Sequence, residues 1–201
     1  YGLVGSEMCI RDSAFTSPSG SIRRELAMLT GFLTSYDANA EQDWSILVIG
    51  NDLVGKRLAE SSFRRGQVIM QPFSAFEDYL QSIIRAETVL IPLSDNDFNR
   101  AKTPIRLLDA AISGTQAVFC PVGAYQNIQR ALQKDSLCIA SGAWAEAGAK
   151  IGPILAQLDA NVADLQQAVR RVYGTEAAKS CYRQVFINDL GMVGAEHLAA
   201  A

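Results

Sequence analysis

Apolar positions along this chain fall into two rhythms, and the changes of rhythm mark out its elements. Ile22, Leu26, Leu29, Leu33 and Tyr36 recur at helical spacing from Ser21 to about Asn39, with Ser19-Gly20-Ser21 as the entry. The apolar run 44–49 reads as a strand that Gly50 ends; a helix through Leu58 follows, then a short strand at 68–70 with Pro72 beyond. Phe76, Tyr79, Leu80 and Ile83 return to helical spacing over 76–86. After them the predicted strands 88–93, 116–120 and 137–140 alternate with helices at 104–113 and 125–132. Residues 143–158, 162–173 and 176–185 read as helical with no strand between. Strands alternating with helices predict βαβ units, so the expected fold is α/β, a Rossmann-like parallel sheet with helices on both faces and a helical C-terminal tail.

The segment 91–125, IPLSDNDFNRAKTPIRLLDAAISGTQAVFCPVGAY, concentrates the chemistry. TVLIPL at 88–93 is apolar and partly β-branched, as suits a strand buried on both faces of a parallel sheet. Residues 94–102 place two Asp, two Asn, an Arg and a Lys around Phe98, so side-chain hydrogen bonds are expected to hold this loop while Phe98 anchors it. Thr103-Pro104 then opens a helix, with threonine as N-cap, proline at the first helical position and Gly114 as the stop. On that helix Ile105, Leu108 and Ile112 share one face, while Lys102, Arg106, Asp109 and Ser113 form a polar stripe that starts at the entrance. A helix N-terminus has unpaired N–H groups and a partial positive charge; with Arg100 and Lys102 beside it, this one suits a phosphate or diphosphate. Asp109, two turns on, is placed to accept hydrogen bonds from hydroxyls of the same ligand. The stripe also fits an ordinary surface pair between Arg106 and Asp109, contributing roughly 0.2–0.5 kcal/mol.

Taken whole, PLSDNDFNRAKTPIRLLDAAISGTQAVFCPVGAY resembles the nucleotide-sugar-binding segment of GT-B glycosyltransferases, in which a PL-x-DN-x-FN-x-x-K-[ST] loop leads into a helix bearing an acidic residue and ends at a glycine. The resemblance implies that the chain is the C-terminal donor-binding domain of such an enzyme. The intact enzyme would move a sugar from a nucleotide-diphosphate sugar to an acceptor glycan or lipid, working with an N-terminal domain. It carries the donor-binding roles to Asn99, Lys102 and Thr103, and the ribose role to Asp109. It also makes Arg23 or Arg24 a candidate for neutralising the diphosphate, although both arginines equally suit the solvated face of their helix. Positive groups and helix amides stabilise the departing diphosphate in this family, so no metal and no cofactor beyond the donor substrate are expected, and no general base is assigned. The chain departs from the family pattern at three places: Asp109 stands for the usual Glu, Gln116 for a common proline, and Ala101 for the first Glu of a paired-glutamate motif.

A second motif competes. Gly50-Asn51-Asp52-Leu53-Val54-Gly55-Lys56-Arg57 follows a strand and satisfies the G-x-x-x-x-G-K of a P-loop NTPase until Arg57, which stands where Ser or Thr would hold magnesium. Leu53-Val54 fits a helix already under way, which leaves Gly50-Asn51 as a strand-end turn facing the sugar-nucleotide cleft, with Asn51 a candidate contact. A non-catalytic Rossmann-like binding or assembly module is a further alternative, and it predicts an exposed apolar face.

Composition narrows these choices. With 201 residues, 49% of them hydrophobic and 19% charged, the chain can bury a substantial single-domain core. A net charge of −3 without a basic cluster argues against a nucleic-acid partner. Of the four cysteines, Cys120, Cys138 and Cys181 lie far apart and read as reduced, buried thiols, while the one histidine, His197, makes a His-based metal site or triad improbable. The opening YGLVGSEMCIRDS resembles peptides translated from sequencing-adapter DNA, so residues 1–13 are read as a non-native leader and left out of the fold. On that reading residues 14–190 form the nucleotide-sugar-binding domain, 191–201 a tail, Ala14-Phe15-Thr16 the remnant of a first strand, and the upstream part is missing. No transmembrane segment or secretory signal is recognised, which suits a cytoplasmic protein, with peripheral membrane association of the full-length enzyme left open.

Overall fold

Main-chain pairing gathers the short apolar runs into a five-stranded parallel sheet. The strands are β1 (Ser6–Arg11), β2 (Trp44–Ile49), β3 (Gly66–Gln71), β4 (Thr88–Ile91) and β5 (Gln116–Phe119), in the order β3-β2-β1-β4-β5. The computed structural model describes residues 6–11, 19–50, 52–72, 75–134 and 136–177. All residues of β4 and β5 are buried, as strands covered on both faces must be, whereas β3 at the sheet edge is half-buried and exposes Ile69 and Met70.

Chain order and strand order together locate the helices. From β1 the chain steps outward through β2 to β3, then returns to β4 on the far side of β1 and continues to β5. Right-handed crossovers therefore put α1 (Ser19–Asn39) and α2 (Asp52–Ala59) on one face, and α3 (Phe76–Arg85) and α5 (Ile105–Ser113) on the other. The packing agrees. On the first face α1 lies against α7 (Trp144–Lys150); on the second, α5 contacts both α3 and α9 (Leu158–Tyr173). Short helices α4 (Asp97–Arg100), α6 (Tyr125–Ala131) and α8 (Gly152–Leu155) complete the order. Aromatic contacts seal the first face, where Phe32 of α1 meets Trp144 of α7 at 5.3 Å between ring centroids. At the far end of α1 the buried carboxylate of Asp37 accepts from Trp44 Nε1 at 2.9 Å, Arg64 N at 2.5 Å and Arg65 N at 2.8 Å, tying the helix to β2 and to the turn before β3.

Several expectations are corrected. The slot predicted for residues 14–16 is filled by Ser6–Arg11, which pairs with both β2 and β4 at the centre of the sheet, although residues 1–13 read as a leader. A parallel ladder is built from main-chain groups that every non-proline residue carries, so this pairing does not bear on the origin of the segment. Residues 14–16 themselves lie outside the described residues. The strand predicted at 137–140 is reduced to one bridge between Phe119 and Cys138. The helix predicted at 143–158 is divided into α7 and α8 around Ile151, just before Pro153, whose ring and missing N–H oppose helix continuation. Beyond residue 177 the helix predicted at 176–185 and the tail at 191–201 lie outside the described residues, as do Cys181 and His197.

Candidate functional site

Strand order reverses between β1 and β4, and in open parallel sheets the carboxyl ends of the strands flank a ligand crevice at such a switch point. The helix after β1 and the loop after β4 meet there. Ser94–Arg100 is braced internally: Asn96 caps α4 by accepting from Asn99 N at 2.9 Å, and Asn96 Nδ2 donates to Ser94 Oγ at 2.9 Å. Asn99 is fully buried, and its Nδ2 donates to Ser94 O at 2.7 Å and to Glu25 Oε1 of α1 at 2.7 Å. Asn99 Oδ1 is buried with no hydrogen-bond partner among the described residues. Asn99, expected to touch the nucleotide, therefore first serves to fasten the loop to α1.

The cations are arranged unevenly. Arg100 is exposed and engaged by two carboxylates, Asp95 at 2.8 Å and Asp97 at 3.4 Å, and the bond to Arg100 holds Asp95 below the usual carboxylate range. Its expected charge at the helix entrance is thus largely neutralised. Lys102 is half-buried, its Nζ lying 4.7 Å from the centroid of the Phe98 ring, so Phe98 anchors the loop through a cation–π contact as well as by burial. Arg23 and Arg24 are exposed on the first turns of α1, two and one residues before Glu25. Asn51 lies outside the described residues.

The entrance of α5 forms one residue later than predicted. Thr103 is exposed and does not cap; Pro104 is the N-cap residue, with φ −83 and ψ 40, and makes no side-chain cap hydrogen bond. The stop at Gly114 is as expected, with φ 70 and its N–H bonded to Ala110 O and Ala111 O. Which face is buried differs from the prediction. Leu107, Ala110 and Ala111 enter the core, while Ile105 and Ile112 are 59% and 77% exposed. Asp109, predicted on a solvated stripe, is 6% exposed and accepts from the Tyr79 hydroxyl at 3.1 Å, so its carboxylate is not on a solvated face.

The turn after β5 closes the site from the other side. Gly123, with φ 58, packs so closely on α4 that an added Cβ would lie 2.3 Å from the Arg100 carbonyl oxygen. Tyr125 begins α6 just beyond, buried beside Phe119 at 6.2 Å between centroids. Burial pushes the Tyr125 phenol up to about 12, with the nearby Arg106 charge opposing the rise and the Asp109 and Glu25 carboxylates adding to it. Cys120 is a buried thiol whose pKa is raised chiefly by burial, and it accepts from Trp144 Nε1 at 2.9 Å. Cys138, expected to be buried, is only half-buried. Among the described residues no cluster of three metal-ligating side chains occurs.

Two sequence features receive structural explanations. Gln116 donates to Thr88 Oγ1 at 3.0 Å and Leu155 O at 3.1 Å and accepts from Asn161 Nδ2 at 2.7 Å, so the residue in the place of proline anchors α8 and α9 to the sheet. The P-loop-like stretch is helical from Asp52, with Gly55 buried inside α2 and Lys56 and Arg57 exposed. A helix directs its interior amides along its own axis and cannot wrap them around a phosphate, so the NTPase alternative loses its structural basis. Glu25, Ser94 and Tyr79 carry bonds at the site that periodicity did not single out.

No family model and no curated protein sequence matches this chain. Its fold does match solved structures. The apo structure of OtsA superposes with a TM-score of 0.60 at 10% identity, covering 94% of this chain and 44% of that one. The TarM structure from S. aureus, solved with UDP among its ligands, gives 0.59 at 14% identity over 86% of this chain and 34% of that one. AviGT4, a glycosyltransferase involved in avilamycin A biosynthesis, gives 0.54 at 15% identity over 90% of this chain and 50% of that one. The chain thus spans half or less of the length of these proteins. Among the described residues no helix is long and apolar enough to cross a membrane. In fold, the chain is a GT-B glycosyltransferase-like domain.

Proposed function

We propose that this domain binds a nucleotide-diphosphate sugar at the β1/β4 switch point and is the donor-binding, C-terminal part of a glycosyltransferase that passes the sugar to an acceptor. One observation carries the reading: the loop after β4 is fastened across the switch point to α1, holding Lys102 beside the entrance of α5. A diphosphate seated there would meet the Lys102 ammonium and the positive end of the α5 dipole, although Leu107 N is already bonded to Pro104 O at 3.0 Å. Both groups gain in effect as negative charge grows on the departing diphosphate. Arg23 and Arg24, exposed on the first turns of α1, and the exposed Thr103 are the further candidate contacts to the donor. The TarM structure contains UDP, and another similar structure, from E. coli, is bound with UDP-2-fluoro glucose; both support a nucleotide-sugar ligand for this fold.

The test is thermal unfolding of the chain with UDP, GDP, ADP, CDP and dTDP in turn. A ligand at 100 times its Kd stabilises by about 2.7 kcal/mol, which for a chain of this length raises Tm by roughly 5–10 °C. Lys102→Ala should abolish that shift while leaving the ligand-free Tm within about 2 °C. Absence of a shift with every nucleotide would overturn the proposal. It would favour a non-catalytic assembly module, a reading that draws on the exposure of Ile84, Ile105 and Ile112 on α3 and α5.

A further inference from the structure

We infer that Glu25 is the positioning residue of this site: its carboxylate sets the orientation of the Asn99 amide and so the course of the loop that carries Lys102. The inference rests on the donor-binding reading for its functional consequence, but its geometry stands alone. Glu25 lies on α1, is only 9% exposed, and accepts from Asn99 Nδ2 at 2.7 Å and from Ser94 Oγ at 3.4 Å. These contacts join residues 74 and 69 positions apart and cross the switch point, from the helix after β1 to the loop after β4.

A carboxylate is an odd choice for the wall of an anion site, since its charge opposes the ligand's. What it supplies is an acceptor: Glu25 Oε1 and the Ser94 carbonyl oxygen both accept from Asn99 Nδ2, and turning the amide over would set Oδ1 against the carbonyl, which can only accept, and against Oε1. Asn99 Nδ2 is then also in place for Ser94 O at 2.7 Å, and Oδ1 is directed to a buried position with no partner among the described residues. From Asn99 the course of the chain is fixed within three residues: Arg100 N bonds to Asn96 O at 2.9 Å and Lys102 N to Asn99 O at 3.2 Å. The bond made at Glu25 thus ties this turn, and with it the Lys102 main chain, to α1.

Hydrogen exchange and nucleotide titration of the whole chain test this together. In Glu25→Ala, amides of Asn99, Arg100 and Lys102 should exchange at least about tenfold faster while those of Ile46 and Val48 in β2 are unchanged, the signature of local rather than global loosening. Affinity for the nucleoside diphosphate that best stabilises the wild type should fall at least about tenfold, as expected for losing a charge-assisted hydrogen bond. Asn99→Asp, which opposes two carboxylates, should produce both effects. Glu25→Met, similar in size but without an acceptor, should also produce both effects, whereas Glu25→Gln, whose amide oxygen can accept from Asn99 Nδ2, should retain most of the wild-type behaviour; a merely space-filling role predicts no difference between the two. Unchanged loop exchange in Glu25→Ala, or equal effects of Glu25→Met and Glu25→Gln, overturns the inference. A wild type that binds no nucleoside diphosphate overturns the donor reading instead, and the exchange measurement still decides the role of Glu25.

Discussion

Replacing Gly123 by alanine measures how much of the site depends on bare main-chain contact between the turn after β5 and the loop after β4. Gly114 provides the internal control. Gly123 has φ 58 and Gly114 has φ 70, so alanine at either position incurs the left-handed penalty, about 1–2 kcal/mol. Their surroundings differ. An added Cβ meets nothing within 4 Å at Gly114, but at Gly123 it lies 2.3 Å from the Arg100 carbonyl oxygen and 2.7 Å from its Cα. Non-bonded heavy atoms prefer separations of about 3.5 Å or more, so the two loops must part by about 1 Å. Overpacking of this kind typically costs about 1–3 kcal/mol. Gly114→Ala should therefore lose about 1–2 kcal/mol and Gly123→Ala about 2–5 kcal/mol. Equilibrium urea unfolding followed by far-UV circular dichroism gives both values, provided the slope against urea is common to the variants. Equal losses at the two positions would refute the reasoning, since they would leave only the shared backbone term. Because Arg100 is two residues from Lys102, the same displacement should also weaken nucleotide binding in Gly123→Ala and not in Gly114→Ala.

Two further outcomes follow from packing and charge. Leu107→Ala should cost about 2–5 kcal/mol while Ile112→Ala stays within about 0.5 kcal/mol, because the first is in the core and the second is 77% exposed; the reverse order in urea unfolding would restore the face of α5 that periodicity predicts. Burial alone would raise the pKa of Asp37, but hydrogen bonds from Arg64 N, Arg65 N and Trp44 carry it below its ordinary 3.8. A depressed folded pKa gives stability that is present above the unfolded value and is lost as pH falls through the folded one. Urea midpoints measured from pH 6 down to pH 2 should thus fall in the wild type below about pH 4, and Asp37→Asn should flatten that part of the decline. An equally steep decline in Asp37→Asn would exclude Asp37 as its source.

The sequence by itself determined what neighbouring residues decide among themselves. The long amphipathic helix ending near Asn39, the apolar runs of β2, β4 and β5, the asparagine-rich loop held by its own side chains, and the glycine stop at 114 all follow from periodicity, turn chemistry and backbone sterics within a few residues. The resemblance of residues 92–125 to a GT-B donor loop was legible for the same reason, being a contiguous string, and the fold agrees with it. What only the tertiary structure decided depends on contacts that leave no periodic trace. Ile105 and Ile112 look like core residues but are exposed, and Asp109 looks solvated but is buried, because α5 is rotated to fit between α3 and α9 rather than by its own hydrophobic pattern. The role of Glu25 was equally hidden: a glutamate on the polar side of a helix looks ordinary until the strand order brings it 2.7 Å from an amide 74 residues away. Strand order is set by how whole βαβ units pack on one another, and that global choice, made after the local ones, put the residues of the site together.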